Sequence, residues 1–220
     1  MTIHIAPAPS VTGPAADFAR RTHGLLIGGR WIPAASGKTF DVIDPATGKS
    51  VAKVAEGDRA DADAAVAAAR KAFAGPWSRM SPAERGKLIW RLADAIDSVR
   101  EELATLNSLE NGKPIKDSLK GEAPFAAETF RYYAGWATKM NGEQIPISAR
   151  GDWHCYTRRE AVGVAAQIIP WNFPLAMLAW KVAPALAAGC TMVLKPAEQT
   201  PLGALRIAEL FAEVGFPEGV

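Results

Sequence analysis

Four polar side chains stand where an α/β sheet gathers ligands. Asn172 follows an apolar run, in VAAQIIPWNFP, and Lys195 follows a second one, in TMVLKPAE. Glu198 comes three residues after Lys195. Lys181 lies nine residues after Asn172, inside the otherwise apolar PLAMLAWKVAPALAAG. A carboxamide at the carboxyl edge of a parallel sheet can donate to a developing oxyanion, which typically contributes about 10²–10³ in rate. The same Asn just ahead of Pro174 is also a helix cap, and by residue type alone the cap is the commoner role. Lys195 and Glu198 can donate to and accept from the hydroxyls of a ribose, and a carboxylate there repels a 2′-phosphate. They also read as a solvated loop lysine and a first-turn carboxylate for the helix after Pro201. An ammonium in an apolar helix is costly unless it reaches solvent, a partner or a proton path, which singles out Lys181.

The elements that must position these groups follow from the pattern. From Gly163, VAAQII, PLAMLAWKVAPALAAG, TMVLK and PLGALRIAELFAEVG read β-α-β-α, the unit of a parallel sheet with covered faces, with Pro184 as a kink in the first helix. Upstream, LLIGGRWI and FDVIDPATGKSVAKV read as hairpins. Asp58 opens an Ala-rich helix with Val66, Ala69 and Phe73 on one face, and GPWSRM reads as a loop. Ser81-Pro82-Ala83-Glu84 is a capping-box start for a helix running through Leu88, Leu92, Ile96 and Leu103 to Glu110, where Asn111-Gly112-Lys113-Pro114 stops it. A further helix is expected over about Asp117 to Met140. Residues 143–160, with Trp153 and Tyr156 among polar neighbours, read as a projecting ribbon. Residues 1–21, rich in Pro, Ala and Ser, read as a flexible tail.

Bulk properties exclude several classes. The 220 residues carry 25 basic and 23 acidic side chains of interspersed sign, so no basic face for nucleic acid is implied. No apolar run reaches the roughly 18 residues of a membrane helix, and the first twenty lack a signal-peptide core. Two cysteines, Cys155 and Cys190, form no CxxC pair, which points to a reduced, cytoplasmic setting. The three histidines share no metal-ligand spacing, and no GxGxxG, P-loop or GxSxG is present.

PWNFPLAMLAWKVAPALAAGCTMVLKPAEQTPLGAL closely resembles the aldehyde dehydrogenase superfamily. The resemblance extends upstream through FDVIDPATG, GPWSRMSPAERGKLI, LENGKP and REAVGVAAQIIPWN, and covers about residues 22–220. It implies an α/β fold: an incomplete Rossmann-like parallel sheet with flanking helices, N-terminal hairpins and a projecting β-ribbon. Residues 22–142 and 161–220 would form the cofactor domain, and residues 143–160 an oligomerisation ribbon joining a homo-dimer or tetramer. It implies oxidation of a small-molecule aldehyde to a carboxylic acid with NAD, NADP being possible. In such enzymes a cysteine thiolate attacks the carbonyl, hydride passes to the nicotinamide, and a glutamate activates the water that hydrolyses the thioester.

The resemblance also assigns roles by position. Asn172 would belong to the oxyanion hole and Lys181 to a proton relay. Ile169, Pro170 and Trp171 would line the cofactor cleft, with Lys195, Pro196, Ala197 and Glu198 on the adenosine ribose. Phe173, Met177 and Trp180 would face the aldehyde tunnel. Helical spacing puts 173, 177 and 180 on one face, and core packing accounts for that equally well. The nucleophile and the general base are expected beyond residue 220, so this chain alone is expected to turn over no aldehyde. The alternative is a short non-catalytic nucleotide-binding or oligomerisation module. Betaine-aldehyde-like and phenylacetaldehyde-like substrates both stay open.

Overall fold

A computed structural model describes residues 11–220. The chain opens with α1 (Pro14–Ala19), β1 (Thr22–His23), β2 (Leu25–Ile27), β3 (Arg30–Ile32), β4 (Thr39–Ile43) and β5 (Ser50–Ala55). Five helices follow: α2 (Arg59–Phe73), α3 (Pro76–Arg79), α4 (Pro82–Ser98), α5 (Arg100–Asn111) and α6 (Ile115–Asp117). A π turn (Ser118–Glu122) leads into α7 (Ala123–Trp136). Then come β6 (Val164–Ile168), α8 (Pro174–Ala188), β7 (Thr191–Lys195) and α9 (Leu202–Val214).

Both hairpins form. Gly28 and Gly29 turn β2 into β3 at φ 58° and 78°, values that a two-residue hairpin turn requires and that side chains disfavour. β4 pairs antiparallel with β5, and β1 adds to β5 in parallel. At Asp44 the carboxylate accepts from the Ala46 amide at 2.8 Å and the Thr47 hydroxyl at 2.7 Å, which shapes the turn from β4.

Capping chemistry sets the helix starts. Ser81 and Glu84 exchange bonds at the head of α4: the Glu84 amide donates to Ser81 Oγ at 3.3 Å and the Ser81 amide to Glu84 Oε2 at 2.7 Å. Asp58 and Asp61 build the same box for α2. The helix expected to run unbroken from Pro82 to Glu110 is interrupted at Val99 (φ −108°, ψ 19°), giving α4 and α5. Gly112, at φ 79°, ends α5 in the left-handed conformation. GPWSRM, expected as a loop, contains α3, and its Trp77 is fully buried. Trp77 Nε1 donates to the carbonyls of Gly189 and Cys190 at 3.0 and 3.1 Å, tying α3 to the far end of α8. The helix expected over 117–140 begins as α6 and the π turn and ends at Trp136.

The expectation of a flexible tail over residues 1–21 is corrected from Pro14 on. α1 is helical, and Phe18 is 1% exposed in a small core with Val42, Val54, Leu106 and Leu202. Burial of one aromatic outweighs the loose composition around it. Residues 1–10 of that expectation lie outside the described residues.

The central core lies between α4, α7, α8 and α9 and includes Ile89, Leu92, Ile96, Phe130, Leu175, Leu178, Leu186 and Ile207. β6 and β7 pair in parallel from Val164↔Thr191 to Ile168↔Lys195, joined by α8. Met192 and Leu194 turn to that core, and Thr191, on the alternate face, donates to the Ala69 carbonyl of α2 at 2.9 Å. Helices thus pack on both faces of the parallel pair, α2 reaching only the Thr191 end of its face while Ala166 and Ile168 stay exposed, an α/β arrangement of a Rossmann-like kind. Residues 143–157 form the ribbon, with one antiparallel bridge, Gln144↔Tyr156, flanked by two backbone bonds at 2.8 Å.

Candidate functional site

The register of β6 and β7 brings the two polar segments to one edge. Ile168 pairs with Lys195, and the Ile169 amide donates to the Lys195 carbonyl at 3.0 Å. The turn carrying Asn172 and the segment carrying Glu198 therefore leave the sheet side by side, at the carboxyl ends of adjacent strands.

Trp171, Asn172 and Phe173 are exposed in that turn. Phe173, not Asn172, is the N-cap of α8, and no side-chain bond caps the helix locally. Asn172 therefore does not serve as the cap, and its carboxamide stands at the open edge. The cap comes from a distance. Glu122 Oε1 accepts from the Leu175 and Ala176 amides at 2.9 and 3.2 Å, placing a carboxylate at the positive end of α8. Glu122 Oε2 accepts from Asn107 Nδ2 at 3.0 Å and forms a buried ion pair with Lys113. Lys113 Nζ also lies 4.2 Å from the Phe173 ring centroid and 3.4 Å from the Asn172 carbonyl oxygen. Asn111 Nδ2 donates to the Trp171 carbonyl at 2.6 Å.

At the second segment, Lys195 Nζ lies 2.6 Å from Glu198 Oε1, with side chains 56% and 60% exposed. The hydrogen bond from Lys195 holds the Glu198 carboxyl below its ordinary value. Both groups face outward, so the pair offers a donor and an acceptor to one ligand. Pro170 is exposed and Pro196 half-buried. Ile169, expected to line the cleft, instead packs its side chain into the central core at 2% exposure, and Ala197 is buried at 8%. Apolar side chains at a strand end gain more from the core than from an open edge, so these two offer a ligand only backbone.

Lys181 is half-buried on α8, and its carbonyl accepts from Gln167 Nε2 at 2.9 Å. It forms no ion pair among the described residues. Phe173 and Trp180 are exposed, while Met177 is partly buried against the core. Trp180 packs edge-on to Phe125 at 5.7 Å. Cys190 is buried just past the end of α8, and Cys155 sits on the ribbon. The fifteen residues of α8 span roughly 22 Å and separate Cys190 from Asn172, so that thiol does not belong to this edge.

Sequence reasoning missed Asn111, Lys113, Glu122 and Glu110. Glu110 caps α9: the Leu202 and Gly203 amides donate to it at 2.6 and 3.0 Å. Burial pushes its carboxyl up to about 8, opposed by the two amides and reinforced by the Glu122 charge. A Cβ at Gly203 would meet Leu175 Cδ2 at 2.8 Å, so a larger residue there requires the Leu175 side chain to shift where α9 approaches α8. Among the described residues no cluster suits a metal ion, and no helix is long and apolar enough to cross a membrane.

Comparison with known proteins bears on the fold that carries this edge. The family model described as "Aldehyde dehydrogenase family" matches residues 31–220. The chain is 54% identical over 211 residues to the putative aldehyde dehydrogenase DhaS of Bacillus subtilis, covering 96% of this chain and 42% of that protein. It is 52% identical to the human mitochondrial aldehyde dehydrogenase over 89% of its own length and 38% of the relative's. An aldehyde dehydrogenase from Bacillus cereus, solved as an NAD+ complex, superposes with a TM-score of 0.92 at 51% identity, covering 96% of this chain and 43% of that one. The chain thus spans about two fifths of the length of the relatives it matches. With the Asn172 turn and the Lys195–Glu198 pair set on adjacent strand ends of a fold shared with these proteins, the chain belongs to the aldehyde dehydrogenase family.

Proposed function

We propose that this chain supplies the amino-terminal, nucleotide-binding part of an NAD-dependent aldehyde dehydrogenase, which oxidises an aldehyde to a carboxylic acid through a cysteine thiohemiacetal and hydrolysis of the resulting thioester. The observation that carries this reading is the shared edge: Ile168 and Lys195 are register partners, so an oxyanion donor and a ribose-binding pair stand side by side. When bound, NAD accepts the hydride. Lys195 donates to the ribose hydroxyls and Glu198 accepts from them, and the negative Glu198 disfavours a 2′-phosphate, so NAD is preferred and NADP is the poorer ligand. The fit rests on the ion pair itself, a 2.6 Å donor–acceptor couple left exposed at the carboxyl edge. The NAD+ complex of the Bacillus cereus relative supports it.

Asn172 donates from its side-chain amide to the oxygen that gains charge when the aldehyde carbonyl is attacked. Lys181, half-buried on α8, holds a place on a proton path. Phe173, Met177 and Trp180 form one wall of the aldehyde approach, their helical spacing aligning them along α8. Trp153 and Tyr156, each 65% exposed on the ribbon, are the contacts through which copies of the enzyme assemble into a dimer or tetramer.

Titration calorimetry of the purified 220-residue chain with NAD+ and with NADP+ tests the reading. NAD+ binding that weakens in Lys195→Ala is the expected result, and absence of binding to either nucleotide would overturn it. The chain alone is expected to form no NADH from any aldehyde.

A further inference from the structure

The turn that carries Asn172 has no means of holding itself. Pro174 has no amide proton, Phe173 caps nothing with its side chain, and Trp171, Asn172 and Phe173 are all exposed. The first helical bond of α8 runs from the Met177 amide to the Phe173 carbonyl, so the Trp171 and Asn172 carbonyls lie outside the helix ladder. Three side chains from the end of α5 and the π turn occupy this gap. Asn111 Nδ2 takes the Trp171 carbonyl at 2.6 Å. Lys113 places one ammonium against the Asn172 carbonyl, the Phe173 ring and Glu122. Glu122 takes the Leu175 and Ala176 amides on one oxygen and Lys113 with Asn107 on the other.

On this geometry, and resting on the reading of Asn172 as the oxyanion donor, we propose that Asn111, Lys113 and Glu122 are positioning residues for the reaction. Their bonds run to the backbone of the turn and the head of α8, to the Phe173 ring, to Asn107 and to one another. They grip the backbone from Trp171 to Ala176 on both sides of Asn172 and so fix the aim of its carboxamide.

Two of the bonds separate this role from plain scaffolding. Gly112 already ends α5, and Glu122 already closes the head of α8. The bonds to the Trp171 and Asn172 carbonyls serve neither helix, and bear only on the turn between strand and helix. The clamp is also cooperative. Glu122 is 4% exposed at its side chain and Lys113 15%, so each needs the other as a counter-charge. A donor that acts only when correctly aimed is sensitive to small shifts, because a displacement of about 1 Å can cost on the order of 10² in rate.

Steady-state kinetics of the intact dehydrogenase carrying this sequence provide the test, with Asn111→Ala, Lys113→Met, Asn172→Ala and the double variant Lys113→Met with Asn172→Ala. Each clamp variant is expected to lower kcat by about 10-fold or more, with the KM for NAD changed by no more than about twofold. The double variant is expected to be no slower than Asn172→Ala alone, because the clamp acts through that residue. Wild-type kcat in Asn111→Ala and Lys113→Met, or a double variant whose loss is the product of the single losses, overturns the inference. If Lys113→Met does not fold, Asn111→Ala decides alone, since it removes a single exposed bond. Wild-type kcat in Asn172→Ala is a different outcome: it removes the oxyanion reading itself, whatever the clamp variants do.

Discussion

The carboxyl group of Glu110, at the end of α5, accepts from the Leu202 amide at 2.6 Å and closes the first turn of a helix 92 residues further along the chain. Burial lifts its carboxyl from the ordinary 4.5 to about 8, so the folded state holds the proton more tightly than the unfolded one. That contribution is fully present below pH 4.5 and is lost as pH rises through about 8. Urea unfolding midpoints should therefore fall between these limits, with a slope approaching about 1.4 kcal/mol per pH unit from this group. Glu110→Gln should flatten the slope; a wild-type profile that is already flat would refute the assignment.

Asn172→Ala in the intact enzyme should lower kcat about 10²-fold while leaving NAD affinity within about twofold. Equal losses in both would mean that the residue shapes the turn rather than stabilising charge.

The Lys195–Glu198 pair should matter to ligand and hardly to fold. Both side chains are more than half exposed, so Lys195→Ala should change stability by no more than about 1 kcal/mol. NAD+ affinity should nonetheless drop, and Glu198→Gln should narrow the gap between NAD+ and NADP+ by removing the charge that repels a phosphate. An unchanged NAD+/NADP+ ratio in that variant, measured by calorimetry, would place discrimination elsewhere.

Trp77 is fully buried, and its indole joins α3 to the carbonyls that follow α8. Trp77→Ala should destabilise the chain by about 3–5 kcal/mol, read as a lower denaturation midpoint at constant m value. A loss under about 1 kcal/mol would show that the site collapses around the cavity.

Features written in adjacent residues were legible in the sequence. Ser81 and Glu84 announce α4, Gly28-Gly29 the first hairpin, and the two apolar runs around PLAMLAWKVAPALAAG the parallel pair. The break at Val99 left no trace in the periodicity, because Ile96 and Leu103 are seven residues apart and remain buried in one cluster on either side of it. α1 was hidden by a composition typical of tails, although Phe18, with Ala15 and Ala19, packs it into the small core. The polar edge was legible at Asn172, Lys195 and Glu198, since strand ends mark it. Its support was not: Asn111 and Lys113 read only as a helix stop, and Glu122 carries no local signature of a cap 53 residues away.

The remote caps bear on the order in which the molecule assembles. α8 and α9 receive the carboxyl groups at their heads from Glu122 and Glu110, across 53 and 92 residues. Neither helix starts on a side-chain cap of its own, so each gains its first turn only when the earlier helices dock. Closing loops of that length before any reward is slow, and it makes the α5–α7 layer the template on which the nucleotide edge is laid down.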